Sequence, residues 1–240
     1  MRIDKDCWLL TRPIAHRGLW GENVIENSMS AYQNAINKGY PIEIDVFETK
    51  DKKLVSFHDE NLFRMTGKNE YVFEKTLTEL KDLRLLDSNE RIPTLDEVLE
   101  LCENKVPLLI EFKNQPSKTF LLSAINRLKN YKGEFAVQSF NPFYLIKIKK
   151  LAPEFLRGIL ASERHGQDKN FLTRHVLKNM NFNFLIKPDF ISYSFTGLPL
   201  PKRKKKDTPI ITWTIENQKD YDKVKPYAKN IIFEHFIPEK

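Results

Sequence analysis

The sequence has little cysteine and no long apolar run. Two cysteines, Cys7 and Cys102, are too few for a disulfide framework and have no metal-ligand spacing, so a reducing cytoplasm is the simplest home. Cys102 falls on a predominantly apolar helical stretch and is read as a small core residue. No stretch approaches the roughly 18 apolar residues of a membrane helix, and Met1 to Leu10 holds no apolar segment of export-signal length, so no integral membrane segment is expected. There is no GxGxxG turn and no P-loop, which removes the main sign of a nucleotide-binding doubly wound sheet. The net charge of +7, from 39 Lys and Arg against 32 Asp and Glu, could attract anions. No basic region carries interleaved stacking aromatics, however, and nucleic acid is not an expected partner. Part of the excess is one run, Lys202 to Lys206, between Pro201 and Pro209, which reads as a solvated loop.

What the chain does have is carboxylate in the wrong place for a plain core. In residues 42–59, Ile42, Ile44 and Val46 alternate with Glu43, Asp45 and Phe47, so a strand would put both carboxylates on one face. Two like charges there would repel and be desolvated at a cost of several kcal/mol unless a proton or cation sits between them. A divalent metal is the economical answer, and hard oxygen ligands favour Mg2+, Ca2+ or Mn2+ over zinc. Leu54, Val55 and Phe57 restart the apolar pattern too soon for a crossover helix, so this second strand must return antiparallel. A turn centred near Lys52 would set Asp45 roughly opposite His58 and bring an imidazole beside the metal, with Asp59 next to it.

The rest of the chain alternates. Apolar strand candidates begin near residues 13, 42, 108, 135, 156, 190, 210 and 231, and helical spacing is seen over Ser28 to Lys38, Thr94 to Leu101, Phe120 to Leu128, Pro142 to Leu151, Phe171 to Met180 and Lys219 to Tyr227. Residues 60–93 interrupt the pattern with polar sequence and a short helix near Leu77 to Leu86, an excursion from the core. Eight strands separated mostly by helices in 240 residues predict one domain, residues 1–240, folded as a closed (β/α)8 barrel. In such a barrel functional groups gather where strands end, and His16, Arg17, Glu43, Asp45, Glu111, Lys113, Gln138 and Trp213 all fall at or near expected strand ends. His165, His175 and His235 read as surface histidines.

IAHRG, IENS before a helix, IEIDVFETKD with LVSFHD, LLIEFK and ITWTI together resemble, in order and spacing, the glycerophosphodiester phosphodiesterase family. The likeness is closest over residues 13–67 and 107–113 and loosest over 162–208. It implies a TIM barrel with a small insertion, residues 60–93, after its second strand, and metal-dependent hydrolysis of small glycerophosphodiesters to sn-glycerol 3-phosphate and an alcohol. It also implies the roles. Glu43, Asp45 and Glu111 would bind one divalent cation, His16 and His58 would be the acid–base pair, and Arg17 and Lys113 would hold phosphate oxygens. Glu26 and Asn27 match the Glu-Asn of the substrate-binding loop, and Trp213 would line the glycerol pocket. A glycerol hydroxyl attacking before water would give a transient cyclic phosphate. The chain departs from the family pattern at Ile25, where proline is common, at Lys52, where glycine is usual, and over Phe233 to Phe236, which bears on the headgroup accepted. Two other readings share the fold: a phospholipase D-like barrel acting on lipid phosphodiesters, and a non-catalytic barrel that binds phosphodiesters.

Overall fold

The structure is a computed structural model that describes residues 3–163, 182–201 and 207–239. The helix expected over residues 171–180, His165, His175 and the Lys202 to Lys206 run lie outside the described residues. A short helix that the periodicity does not announce, α1 (Trp8–Thr11), leads to β1 (Ile14–His16). The eight expected parallel strands begin within one residue of their expected starts. Packing divides the chain into two compact units, residues 15–135 and residues 1–14 with 136–240.

In residues 15–135, α2 (Met29–Asn37) begins at Ser28, whose side chain accepts from Ala31 N, and ends before Gly39 at φ 72°. β2 (Ile42–Glu48) pairs parallel with β1, His16 beside Glu43, and with β4 (Leu108–Phe112), Asp45 beside Glu111. β3 (Leu54–Ser56) returns antiparallel to β2 as expected, but the register differs by one: Val46 faces Ser56, and Phe57 N donates to Asp45 O at 3.1 Å. Asp45 therefore lies opposite Phe57, not His58. The turn causes the shift. Thr49 N donates to Lys53 O and Lys52 N to Thr49 O, with Lys52 left-handed at φ 65°, a three-residue loop rather than a symmetric two-residue one.

Residues 60–93 pack on this hairpin. Leu62, Met65, Val72, Leu80, Leu85 and Ile92 form one apolar cluster with Phe47, Val55 and Phe57. Phe47 sits two residues beyond Asp45 on the carboxylate face, so the cluster adjoins the acidic groups. Its helices are short, α3 (Phe63–Thr66) and α4 (Leu77–Asp82). Thr76 and Glu79 form a capping box that starts α4. The helix stops at Asp82 instead of Leu86 because Leu83 turns extended, which lets Leu83 and Leu85 reach the apolar cluster that Leu77 and Leu80 already touch. α5 (Leu95–Cys102), also opened by a capping box, and α6 (Phe120–Lys129) flank β4 in sequence and bury their apolar faces.

In the other unit five strands run parallel in order: β5 (Phe135–Ser139), β6 (Arg157–Ala161), β7 (Phe190–Ser194), β8 (Ile210–Ile215) and β9 (Asn230–Phe233). The register sets Gln138 beside Gly158, Gly158 beside Phe190, and Ser194 beside Trp213. Gly158 leaves room for the Phe190 ring, which an added Cβ would meet at 2.1 Å. Between these strands lie α7 (Pro142–Leu151), capped by Asn141 with proline at its first turn, and α8 (Asn183–Ile186). α9 (Gln218–Val224) is shorter than the expected 219–227 because Pro226 cannot continue it. Asn230 ties β9 to α1, its side-chain nitrogen donating to Leu9 O at 2.9 Å and Arg12 O at 2.6 Å.

Candidate active site

The site begins where β1 ends. Arg17 at φ 58° and Gly18 at φ 88° are both left-handed, so the chain reverses within two residues of the strand. At Gly18 the turn requires glycine, because a Cβ would lie 2.7 Å from the backbone carbon of Ala31. The reversal is pinned to the start of α2 by Leu19 N donating to Ala31 O and Asn27 N donating to Arg17 O. His16 is thereby left at the strand end with Nε2 4.0 Å from Glu43 Oε2, and its carbonyl accepts from Trp20 Nε1 at 2.9 Å.

Glu43, Asp45 and Glu111 are all buried, and one carboxylate oxygen of each lies within 4.8 Å of the others. Two cations answer them. Lys113 Nζ is 3.2 Å from Asp45 Oδ1 and 3.0 Å from Glu111 Oε1, while Arg17 Nε is 3.5 Å from Asp45 Oδ2 and Arg17 N donates to Glu43 Oε2 at 3.3 Å. The two carboxylates of β2 consequently differ. Burial, with Asp45 and Glu111 close by, pushes the Glu43 carboxyl well above the usual range. Burial would push Asp45 up as well, but Lys113, His58 and Arg17 hold it far below. Three buried oxygen donors with one of them driven towards the proton are short of positive charge, and they fit a hard divalent cation.

Glu26 and Asn27 are engaged by the protein itself. Asn27, left-handed at φ 51°, donates from Nδ2 to Asp45 Oδ2 at 3.0 Å and accepts at Oδ1 from the Tyr32 hydroxyl at 2.8 Å, while Tyr32 Oη also lies 2.6 Å from Ser56 Oγ. Glu26 accepts from Arg17 Nη1 at 2.8 Å. His58, just past β3, has Nδ1 2.5 Å from Asp59 Oδ1. Asp59 and Glu26 then share a residue that the sequence reading did not single out, Arg64 on α3. A lone arginine in a polar excursion looks like a solvated one, and no spacing rule marks it. Tyr32 and Ser56 were missed for a similar reason, since each reads as an ordinary helix or strand residue. Trp213 belongs to the other unit, where its ring meets Phe140 edge-on at 5.7 Å and its buried Nε1 has no hydrogen-bond partner among the described residues.

Three buried carboxylates with a lysine and an arginine beside them suit a hard cation and an anionic substrate. Comparison with known proteins agrees. Residues 16–238 match the pattern of the glycerophosphoryl diester phosphodiesterase family. A glycerophosphodiester phosphodiesterase of Caldanaerobacter subterraneus subsp. tengcongensis is 32% identical over 228 residues, 89% of each chain. A human lysophospholipase D is 37% identical over 139 residues, 52% of this chain and 43% of that one. Among solved structures, an Oleispira antarctica phosphodiesterase in complex with the product sn-glycerol-3-phosphate has a TM-score of 0.77 at 24% identity, covering 94% of this chain and 93% of that one. The likeness shows the fold to be a (β/α)8 barrel. The chain belongs to the glycerophosphoryl diester phosphodiesterase family.

Proposed function

We propose that the protein hydrolyses glycerophosphodiesters to sn-glycerol 3-phosphate and an alcohol, with Glu43, Asp45 and Glu111 holding one divalent cation, Mg2+, Ca2+ or Mn2+, and His16 and His58 exchanging protons with the substrate. The observation that carries the reading is the meeting of three buried carboxylate oxygens within 4.8 Å, beside Lys113 and Arg17. When bound, the cation supplies positive charge against a phosphodiester and acidifies an oxygen placed on it. Arg17 and Lys113 hold the non-bridging oxygens. One histidine removes the proton from the attacking oxygen and the other gives a proton to the departing alkoxide, which is too basic to leave unprotonated. With Nδ1 directed at Asp59, His58 offers Nε2 for that exchange. Glu26 and Asn27 serve by holding Arg17 and Asp45, and Trp213 packs the glycerol. The glycerol hydroxyl is the first attacker and the alcohol leaves, so a cyclic phosphate forms before water opens it and should be detectable by 31P NMR early in turnover.

The two packing units make one catalytic domain in this reading, with residues 60–93 as its small insertion, since the family match runs through both. No described helix is long and apolar enough to cross a membrane, and two cysteines suit a cytoplasmic setting. The likeness to a lysophospholipase D favours a second substrate class, lysophospholipids, for the same centre.

The test is release of glycerol 3-phosphate from glycerophosphocholine and glycerophosphoethanolamine, and of choline from lysophosphatidylcholine, by protein stripped with EDTA and resupplied with each cation. Metal-restored release from the glycerophosphodiesters is expected. Release from the lysolipid alone would move the assignment to lipid substrates, and no release with any cation would leave a binding protein.

A further inference from the structure

Arg64 is half exposed at 48%, yet its guanidinium is committed to two carboxylates at once. Nη2 lies 2.5 Å from Glu26 Oε1 and Nη1 3.2 Å from Glu26 Oε2, a two-pronged contact, while Nε lies 2.5 Å from Asp59 Oδ2. Each carboxylate passes the contact on. Glu26 accepts from Arg17 Nη1 at 2.8 Å, and Asp59 meets His58 Nδ1 at 2.5 Å with its other oxygen. One side chain thus terminates two arms, one ending on the arginine that faces the acidic cluster and the other on a histidine. Against the cost of burial, these contacts hold the Glu26 and Asp59 carboxyls below their usual range, so both stay charged and both need their cations.

The geometry suits arginine and no other residue. A planar fork with five donors in fixed directions can span two carboxylates, whereas an ammonium is a single point charge. The backbone under it is anchored: Met65 is buried in the apolar cluster, Phe63 N donates to Asn61 Oδ1, and α3 ends at Gly67 in a left-handed conformation. The excursion of residues 60–93 therefore does more than decorate the hairpin, because its first helix delivers this group.

We propose that Arg64 is a positioning residue that fixes His58 and Arg17 together, linking the proton-transfer group to the phosphate-holding group through Asp59 and Glu26. The proposal rests on the function set out above. In its absence each carboxylate keeps one partner but loses the rigid one, so Asp59 can swing from His58 and release the ring from the tautomer that presents Nε2 as acceptor.

Arg64→Ala, Arg64→Gln and Arg64→Lys separate this role from plain stability. Turnover of glycerophosphocholine with saturating cation is expected to fall about ten- to a hundredfold in Arg64→Ala, the range seen when a group that orients a site residue is removed. Millimolar guanidinium added to Arg64→Ala restores part of it, ammonium does not, Arg64→Lys stays low, and cation affinity measured by calorimetry is unchanged. A second readout needs no turnover: 15N spectra of the imidazoles should show His58 protonated at Nδ1 in the wild type and a mixture of tautomers in Arg64→Ala. If Arg64→Ala does not fold, Arg64→Gln and Arg64→Lys carry both measurements. Wild-type turnover in Arg64→Lys, or an unaltered His58 tautomer in a folded variant, overturns the proposal. An inactive wild-type protein whose His58 tautomer still depends on Arg64 would instead overturn the function and leave the clamp standing.

Discussion

The two packing units carry the same alternation of strand and helix, and both bury single polar atoms without a hydrogen-bond partner among the described residues. Arg17 Nε and Tyr131 Oη are such atoms in one and Ser192 Oγ and Trp213 Nε1 in the other, but residues 15–135 add a bonded network around three buried carboxylates. In residues 15–135 the groups around the carboxylates are bonded to one another: Asn27 to Asp45, Tyr32 and Ser56 to Asn27, Lys113 to Asp45 and Glu111, Arg17 to Glu26. In the other unit Gln138 Oε1, Ser192 Oγ and Trp213 Nε1 are buried on β5, β7 and β8 without hydrogen-bond partners among the described residues. Charge explains the network. A buried carboxylate that lost its partners would cost several kcal/mol, so an ionic site survives only inside a dense network, whereas a neutral amide or hydroxyl left unpaired costs about 1–3 kcal/mol and can be borne singly.

The largest expected effect breaks the charged unit at its centre. Asp45→Ala removes an oxygen donor and leaves Lys113 and Arg17 facing each other across the gap, so cation binding by calorimetry should be lost and turnover should drop by roughly a thousandfold or more, the scale of removing a preorganised electrostatic group. Near-wild-type turnover would show that the cluster is not the centre. Next is the backbone that the network hangs from. Gly18→Ala puts a Cβ against Ala31 at a left-handed φ, and urea unfolding should show a loss of about 2–4 kcal/mol, combining steric overlap with backbone strain.

How far the sequence foretold this differs between the same two regions. Strand positions were legible throughout, because a buried parallel strand is written locally as an apolar run, as in LLIEF or IITWTI. Glu43, Asp45 and Glu111 were legible because a carboxylate inside such a run has no bland explanation. The hairpin register was not, since a left-handed Lys52 stands where glycine would have announced the turn. Arg64 and Tyr32 were hidden more deeply: their work depends on partners 38 and 24 residues away, and local spacing holds no record of that. Trp213 was visible as a strand-end aromatic, but its ring contact with Phe140 is a matter of tertiary packing.

A smaller effect sharpens the comparison within the acidic cluster. Glu43 has its folded pKa raised above the unfolded value by burial and by Asp45 and Glu111, so its contribution to stability is present below the unfolded pKa and is lost as pH rises through the folded one. Asp45 is the reverse, its contribution being present above the unfolded pKa and lost as pH falls. In EDTA, Glu43→Gln should therefore melt higher than wild type at pH 8, by about 2–4 °C for each kcal/mol of relieved repulsion. The gap should close near pH 4. Excess cation should reverse the order, because only the carboxylate binds it, and cation binding to the wild type should release protons into the buffer. A Glu43→Gln melting point below wild type in EDTA at pH 8 would mean that the protein's own cations already satisfy this carboxylate.

The smallest effect tests the network around the carboxylates with one chemical change made twice. Ser56 and Ser192 are both fully buried on strands or strand ends. Ser56 Oγ lies 2.6 Å from Tyr32 Oη and donates to Asn27 Oδ1 at 3.3 Å, so Ser56→Ala strips a partner from the network that steadies Asp45 and should cost about 1–2 kcal/mol. Ser192 Oγ has no hydrogen-bond partner among the described residues, so Ser192→Ala should change unfolding by no more than about 0.5 kcal/mol or give a gain of up to roughly 1 kcal/mol. Equal losses at the two sites would mean that the hydroxyl of Ser192 is satisfied in solution by water. Ser192 would then be as fully bonded as Ser56, and the network around the carboxylates would no longer be what separates these two hydroxyls.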